Sequence, residues 1–112
     1  MKTVLWIDDL RDPPNRPDEQ YMIARSVNQA KALIELSEKE GWEDPIDFIS
    51  IDHDSSIYAA AGGDYINVLN WLEYRQHTSD GKVYPIRIHS FNAVGAANMR
   101  AIIERNGWEE IR

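Results

Sequence analysis

The sequence predicts an α/β fold built on a mostly parallel sheet. Three short apolar runs, residues 3–7, 46–51 and 85–88, each stop at polar or charged side chains. Apolar runs of this length are typical of strands that are buried on both faces. Segments with helical spacing alternate with these runs, and the alternation of strands with helices produces parallel sheets.

The chain between the first and second apolar runs supplies a loop, a strand and a helix. Residues 11–18 hold three prolines and predict a loop over the carboxyl end of the first strand. Residues 21–25 form a further strand. Ser26 is the expected N-cap of a helix over residues 27–36, and Gly41 is its expected stop. The face of this helix that turns to the core comprises Ala30, Leu33, Ile34 and Ser37.

Two more helices are predicted in the second half of the chain. Gly62-Gly63-Asp64 opens the first, and Ser79-Asp80-Gly81 marks the turn after it. Residues 93–106 form the second, which Gly107 ends. The residues expected to face the core are Tyr65, Val68, Leu69, Trp71 and Leu72 in the first helix, and Val94, Ala97, Ile102 and Ile103 in the second.

Length and composition favour one folded domain over residues 1–112, because 43% of the residues are hydrophobic and the length suits a single unit. Nineteen acidic against twelve basic residues give a net charge of −7, which has the wrong sign for holding duplex DNA through its phosphates. A small nucleotide, or one RNA end held through a metal ion, is compatible with this charge, because a bound cation inverts the local field.

The chain has no cysteine, which excludes disulfides, thiolate-bound zinc and a thiol nucleophile. No apolar run approaches the length of a membrane span, and no stretch of signal-peptide length precedes the first carboxylates. We expect a soluble, cytoplasmic protein with no membrane partner, and the sequence leaves its oligomeric state open.

Chemically reactive side chains cluster where the predicted strands end. Three groups follow the three strands: Asp8-Asp9, Asp52-His53-Asp54, and His89-Ser90 with Asn92. In an open parallel sheet, ligands bind outside the carboxyl ends of the strands, so the three groups meet in one crevice if the strands are neighbours. Each residue alone is more often a cap, a turn or a hydrogen-bonded strand end, whereas their convergence favours a functional site.

Carboxylates that are packed together repel one another unless they take up protons or hold a cation. Oxygen ligands without thiolates favour Mg²⁺ or Mn²⁺, and a magnesium site usually combines one or two carboxylates with water and substrate phosphate. Asp8, Asp9 and Asp52 are therefore the expected metal ligands. Arg11, close to the acidic pair, can bridge it or bind a phosphate with two nitrogen atoms.

Several motifs in fixed order resemble one protein family. Ile7-Asp8-Asp9-Leu10-Arg11-Asp12-Pro13, Ser50-Ile51-Asp52-His53-Asp54, Gly63-Asp64-Tyr65 with Trp71-Leu72, and His89-Ser90-Phe91-Asn92 with Gly95 and Met99 resemble the cyclic-phosphate processing receiver-like domain, a relative of response-regulator receivers. The resemblance implies a flavodoxin-like three-layer sandwich with strand order 2-1-3-4, and a short edge strand over residues 108–111 as an optional fifth member. It also implies action on a cyclic phosphate, such as an RNA 2′,3′-cyclic end or a cyclic nucleotide.

The chain departs from a phosphorelay receiver in two ways. Such a receiver has a lysine at the end of its fifth strand, and no lysine follows the last predicted helix here. The chain also adds His53 and His89, and imidazole is the side chain that ordinarily changes charge near neutral pH. Both departures favour hydrolysis over aspartyl-phosphate signalling. Residues 55–61 depart from the leucine-glycine start usual in the closer family, which leaves the choice of substrate open.

The sequence thus predicts a metal-assisted phosphoesterase that opens a cyclic phosphate. Asp8, Asp9 and Asp52 hold Mg²⁺ or Mn²⁺. Asp52, His53 and His89 are the catalytic residues, with one histidine as general base and the other as general acid. The expected substrate-binding residues are Arg11, Asp54, Ser90 and Asn92. Direct attack of Asp52 on phosphorus is an open variant. Two alternatives remain: a module that binds a cyclic nucleotide without changing it, and a receiver-like protein-interaction domain.

Overall fold

The computed structural model describes every residue from 1 to 112. Its strands are β1 (Lys2–Ile7), β2 (Glu19–Ala24), β3 (Phe48–Ile51) and β4 (Ile86–Ile88). Its α-helices are α1 (Val27–Glu40), α2 (Ile66–Ser79) and α3 (Ala93–Asn106), and a short 3₁₀ helix spans Ser56–Ala61. No helix has both the length and the apolar composition needed to cross a bilayer.

All strand pairs are parallel, and the sheet has the order β2-β1-β3-β4, which confirms the predicted class and strand order. The connections from β2 to β3 and from β3 to β4 run in one direction across the sheet, whereas the connection from β1 to β2 runs in the other. The direction therefore changes between β1 and β3. Ligands of open α/β sheets bind outside the carboxyl ends of the strands at this kind of switch point.

The predicted fifth edge strand is reduced to a single bridge. Ile86 of β4 pairs in parallel with Glu110. The backbone N–H of Ile86 donates to Glu109 at 2.9 Å, and that of Ile111 donates to Ile86 at 2.8 Å. The segment after α3 thus lies along the β4 edge and covers part of its unpaired backbone.

One face of the sheet carries the hydrophobic core. Leu5, Ile7, Ile49 and Ile51 are fully buried in a cluster of 19 residues that also includes side chains from all three α-helices. Burying an aliphatic side chain of this size contributes about 1.5–3 kcal/mol to folding. This cluster fixes the two central strands, and therefore the spacing of the side chains that follow them.

The three helices lie side by side on that same face, so the layer count differs from the predicted three-layer sandwich. Helix α1 contacts α2, and α2 contacts α3. The physical reason is the connection between β1 and β2, residues 8–18. A right-handed crossover there would place a helix on the opposite face. Three prolines within this segment keep it irregular.

The opposite face of the sheet carries no helix, and we call it the helix-free face. Side chains of the strands themselves cover it. Trp6, Ser50 and Arg87 are in register on neighbouring strands and are all buried. The Arg87 guanidinium lies 4.8 Å from the ring centre of Phe48. Its two terminal nitrogens donate to Glu19 at 3.0 and 3.2 Å. A buried, bidentate ion pair therefore covers part of the sheet where a helix is missing.

The predicted residues at the ends of α1 are confirmed, whereas part of the predicted buried face of α3 is not. Ser26 caps α1 by accepting from the backbone N–H of Gln29 at 3.0 Å, and Gly41 adopts φ 61° after it. In α3, however, Val94 is 73% exposed and Ala97 is exposed too, so both core predictions were wrong. The residues that α3 buries are Gly95, Met99, Ile102 and Ile103.

Candidate active site at the carboxyl ends of β1 and β3

A crevice of about 350 Å³ opens at the carboxyl ends of the central strands. Its lining residues are Asp8, Asp9, Leu10, Arg11, Asp52, Asp54, Phe91 and Asn92. The structure therefore brings together most of the predicted site residues. Three of them, His53, His89 and Ser90, are not among its lining residues, and His89 lines a separate opening beside Trp6 and Arg87. A larger opening between α1 and α2, lined by Trp71, Arg75 and three other residues, contains none of the predicted site residues.

Asp8 is a fully buried carboxylate whose acceptor positions are all in use. Its Oδ1 accepts from the backbone N–H groups of Leu10 and Arg11 at 2.9 and 2.8 Å. Its Oδ2 accepts from Arg11 Nε at 3.2 Å and lies 2.9 Å from His89 Nε2. Burial alone would raise the pKa of Asp8, but these donors outweigh it and lower the pKa. Asp8 is thus an anchored anion at neutral pH.

Arg11 lies between two carboxylates of the crevice. Its Nη2 donates to the backbone carbonyl of His89 at 2.8 Å and stands 3.5 Å from Oδ2 of Asp52. Its Nε is bound to Asp8, and its Nη1 has no hydrogen-bond partner in the chain. One face of the guanidinium lies 4.5 Å from the ring centre of Phe91. Arg11 therefore offers one free donor to a ligand in the crevice.

Asp9 and Asp52 are the carboxylates with open oxygen atoms. The ligand oxygens of Asp8, Asp9 and Asp52 lie within 4.8 Å of one another. Asp52 uses Oδ1 to accept from its neighbour's backbone N–H at 2.7 Å, and Asp9 accepts no hydrogen bond from a side chain. Burial, followed by the charges of Asp8 and Asp52, raises the pKa of Asp9. The set fits a hard divalent cation, because such an ion takes oxygen ligands and offsets this repulsion.

His89 is held on both ring nitrogens inside the wall of the crevice. Its Nε2 faces Asp8, and its Nδ1 lies 2.8 Å from Ser50 Oγ. Since a carboxylate only accepts, Nε2 carries the proton and Nδ1 accepts from the Ser50 hydroxyl. Burial lowers the pKa of His89 although Asp8 opposes the shift. The ring also stacks on Trp6, with centroids 3.9 Å apart and planes 4° apart. These contacts fix a neutral imidazole in one orientation.

His53 is held on one nitrogen only. Its Nδ1 lies 2.8 Å from Asp54 Oδ1, and its Nε2 has no hydrogen-bond partner in the chain. The hydrogen bond from His53 lowers the pKa of Asp54, and Asn92 contributes a second one at 3.2 Å. The ring packs against α3 at Gly95, where a Cβ atom would lie 2.4 Å from the ring. Only glycine at this position leaves room for the imidazole.

Ser90 and Asn92 shape the start of α3. Asn92 caps the helix, because its Oδ1 accepts from the backbone N–H of Gly95 at 2.9 Å. The Ser90 hydroxyl accepts from the backbone N–H of Asn92 at 3.0 Å. Both groups of the Asn92 amide are therefore engaged, one with the helix and one with Asp54. The arrangement holds Asp54 at the crevice wall.

The sequence analysis did not identify Ser50, Trp6 and Gly95 as residues that position the side chains of the site. Ser50 is the one hydroxyl in the otherwise apolar strand β3, and Trp6 of β1 precedes Asp8 by two residues. Period-2 spacing could have identified Trp6, because it places the Trp6 and Asp8 side chains on the same side of the sheet. Gly95 belongs to the motif that resembles the family, but its contact with His53 could not be predicted, because helices rich in small residues tolerate glycine for many reasons. Its role depends on a ring that arrives from another strand.

The rim of the crevice carries two large apolar side chains that face solvent. Leu10 is 81% exposed and Phe91 is 90% exposed. Both belong to the crevice lining, beside carboxylates and a guanidinium. A ligand in the crevice therefore meets a charged floor and an apolar rim.

Comparison with known proteins gives a family match for the chain. The family model described as the cyclic-phosphate processing receiver domain matches residues 3–105. No curated protein and no solved structure gives a significant match to the chain. The matched range contains every residue that lines the crevice. The chain therefore belongs to the family of cyclic-phosphate processing receiver domains.

Proposed function

We propose that this chain is a metal-assisted phosphoesterase that opens a cyclic phosphate, either an RNA 2′,3′-cyclic end or a cyclic nucleotide. The observation that carries the proposal is the convergence of Asp8, Asp9 and Asp52 within 4.8 Å in a crevice at the switch point of the sheet. Membership of a cyclic-phosphate processing family supports the choice of substrate class. Receiver-type phosphorelay is disfavoured, because no lysine lines the crevice.

Asp9 and Asp52 would hold Mg²⁺ or Mn²⁺ through their open oxygens, and Asp8 would join them only by giving up one of its four donors. A bound divalent cation supplies polarisation of a phosphoryl oxygen and a lower pKa for a coordinated water. A magnesium site needs only one or two carboxylates beside water and phosphate, so this pair is sufficient.

The two histidines take different parts in the proposal. We assign His53 as the general base although it is not a lining residue, because it lies between the lining residues Asp52 and Asp54, and its Nε2 is free to accept a proton while Asp54 orients Nδ1. A carboxylate that orients an imidazole in this way is a recurring arrangement in hydrolases. The Ser50 hydroxyl can donate to His89 Nδ1 or accept from it, so this contact holds the ring in either protonation state. We infer that His89 acts by holding Asp8, because both of its ring nitrogens are engaged, whereas the sequence analysis expected an acid or a base.

Arg11 is the residue that binds the phosphate in this proposal. Its Nη1 is free, and its other nitrogens are fixed by Asp8 and the His89 carbonyl. A guanidinium held in this way needs no reorganisation when negative charge develops on a non-bridging oxygen. Asn92 contributes indirectly, because its amide is engaged with Asp54 and with the helix.

The test is phosphorus NMR of the purified chain with 2′,3′-cyclic and 3′,5′-cyclic nucleotides and cyclic dinucleotides, each with Mn²⁺ and with EDTA. We expect new monoester or linear diester signals that require the metal. Asp52→Asn should abolish them and keep the fold, because an amide oxygen can still accept from the His53 backbone. Asp44→Asn is the matched control, since it removes the same charge from an exposed residue outside the crevice.

The outcomes separate the alternatives. Metal-dependent turnover that Asp52→Asn abolishes supports the phosphoesterase. A broadened, bound phosphorus signal without product replaces it with a binding module. Unchanged free ligand in every sample, with and without metal, overturns both and favours a protein-interaction domain.

A further inference from the structure

Phe91 is placed as a platform and not as a core residue. It is 90% exposed, although burial of a phenyl ring is worth about 1.5–3 kcal/mol. Single exposed apolar residues are common on protein surfaces. Phe91 differs because it lines the same crevice as the carboxylates, where Leu10 is a second exposed apolar side chain.

The position of the Phe91 ring is tied to the charged groups of the crevice. Its centre lies 4.5 Å from the carbon at the heart of the Arg11 guanidinium. Arg11 is in turn fixed by its hydrogen bonds to Asp8 and to the carbonyl of His89. The neighbouring Asn92 caps α3, which limits how far the backbone at Phe91 can move. The ring thus stands at a defined place beside the phosphate-binding donor.

The crevice is larger than a phosphate group requires. Its volume of about 350 Å³ lies within the range of pockets that hold small organic ligands. Its floor is ionic and its rim is apolar and aromatic. This division matches a nucleotide, whose phosphate seeks cations and whose base has two apolar faces that stack on aromatic side chains and on guanidinium planes.

We propose that Phe91, with Leu10 beside it, forms a subsite that stacks the base of the cyclic phosphate ligand. The inference rests on the proposed function, and it specifies a nucleotide in preference to a cyclic phosphate that lacks a base. Stacking on an aromatic surface accepts every base, because each has a π face. The subsite therefore selects nucleotides as a class, and it selects little among the four bases.

The test compares two probes that share the sugar and the cyclic phosphate. One is adenosine 2′,3′-cyclic phosphate, and the other is 1-O-methylribose 2′,3′-cyclic phosphate, which has no base. Dissociation constants are measured by NMR titration of protein amide signals with Mg²⁺ present. The temperature is kept low enough for each titration to finish before the probe is hydrolysed. We expect the wild-type chain to prefer the nucleotide by about 5- to 150-fold, the range for stacking one base.

Phe91→Ala should bring the ratio of the two affinities close to one, whereas Phe91→Tyr should keep the preference for the nucleotide. Val94→Ala is the matched control, because Val94 is an exposed apolar neighbour that does not line the crevice. Equal affinity of the wild type for both probes overturns the subsite alone, as does a preference that survives Phe91→Ala. Failure of the wild type to bind or hydrolyse either probe or any member of the phosphorus NMR panel overturns the proposed function as well.

Discussion

The Nε2 atom of His89 lies 2.9 Å from Oδ2 of Asp8, and both side chains are inside the wall of the crevice. Asp8 is 0% exposed, so His89 supplies a donor that water cannot replace. Because His89 follows β4 and Asp8 follows β1, their bond connects two strands that are not neighbours in the sheet. The bond therefore fixes one side of the crevice to the other.

Replacing His89 by Phe should destabilise the chain. Phenylalanine can keep the stack on Trp6 but leaves Asp8 with one donor fewer in a buried position. We expect a fall of about 1–3 kcal/mol in the free energy of unfolding, measured by urea denaturation. The control is His77→Phe, which affects an exposed residue and should change stability by no more than about 0.5 kcal/mol. Equal stability of His89→Phe and the wild type would contradict this role of His89.

Asp9→Asn should stabilise the metal-free protein at neutral pH. Burial and the charges of Asp8 and Asp52 raise the pKa of Asp9 in the folded chain. A carboxyl with a raised folded pKa stabilises the fold below its unfolded pKa of about 4, and this contribution is lost as the pH rises through the folded pKa. In EDTA, Asp9→Asn should therefore melt at a higher temperature than the wild type at neutral pH. The two melting temperatures should converge below about pH 4. Asp44→Asn should show no such pH-dependent gain; a variant at Asp9 that is less stable than the wild type at pH 7 would refute the argument.

Gly95→Ala should lower turnover more than it lowers stability. A Cβ at this position would approach three ring atoms of His53 to between 2.4 and 2.7 Å, so the ring must move. A displacement of about 1 Å in a reacting group can reduce rate about 100-fold. Gly107→Ala is the comparison, because it strains a helix end with φ 67° and meets nothing within 4 Å. We expect the Gly107 variant to melt at a lower temperature but to keep its turnover at low temperature. The Gly95 variant should lose turnover with a smaller fall in stability. Full turnover in Gly95→Ala would show that the position of His53 is unimportant.

Glu19→Ala should be among the most destabilising single changes on the helix-free face. It leaves the buried guanidinium of Arg87 without its carboxylate, which typically costs about 3–5 kcal/mol. The hydrogen bond from Arg87 lowers the pKa of Glu19, so the ion pair stabilises the fold above the unfolded pKa and loses this effect as the pH falls through the folded pKa. The gap between wild type and variant in urea denaturation should therefore narrow at acidic pH. Glu109→Ala removes an exposed carboxylate and is the control. A gap that widens on acidification would be the opposite of what this pairing requires.

The class of the fold and the edge that carries the site follow from local sequence. Each central strand is an apolar run that ends in acidic residues, as in Ile7-Asp8 and Ile51-Asp52, and parallel strands bring such ends together. The number of layers does not follow in the same way. It depends on whether residues 8–18 form a helix and on which face that connection would cover, and both are tertiary properties.

The different roles of the carboxylates and of the two histidines could not be predicted from the sequence. Asp8 and Asp9 are adjacent in sequence, but period-2 alternation turns Asp8 toward the side of Trp6 and leaves Asp9 in the open crevice. Likewise, the two histidines each follow a strand, yet only His89 meets a buried hydroxyl and a buried carboxylate. In α3, the small residues before Met99 gave little contrast between faces, which is why Val94 was assigned to the core.

The most direct test of the central claim is a Mn²⁺ titration followed by electron paramagnetic resonance, which detects the cation independently of any substrate. We predict one bound Mn²⁺ per chain, retained in Asp44→Asn and lost in both Asp9→Asn and Asp52→Asn. Absence of bound Mn²⁺ in the wild type, or binding that survives the loss of both Asp9 and Asp52, would contradict a metal centre built on these carboxylates.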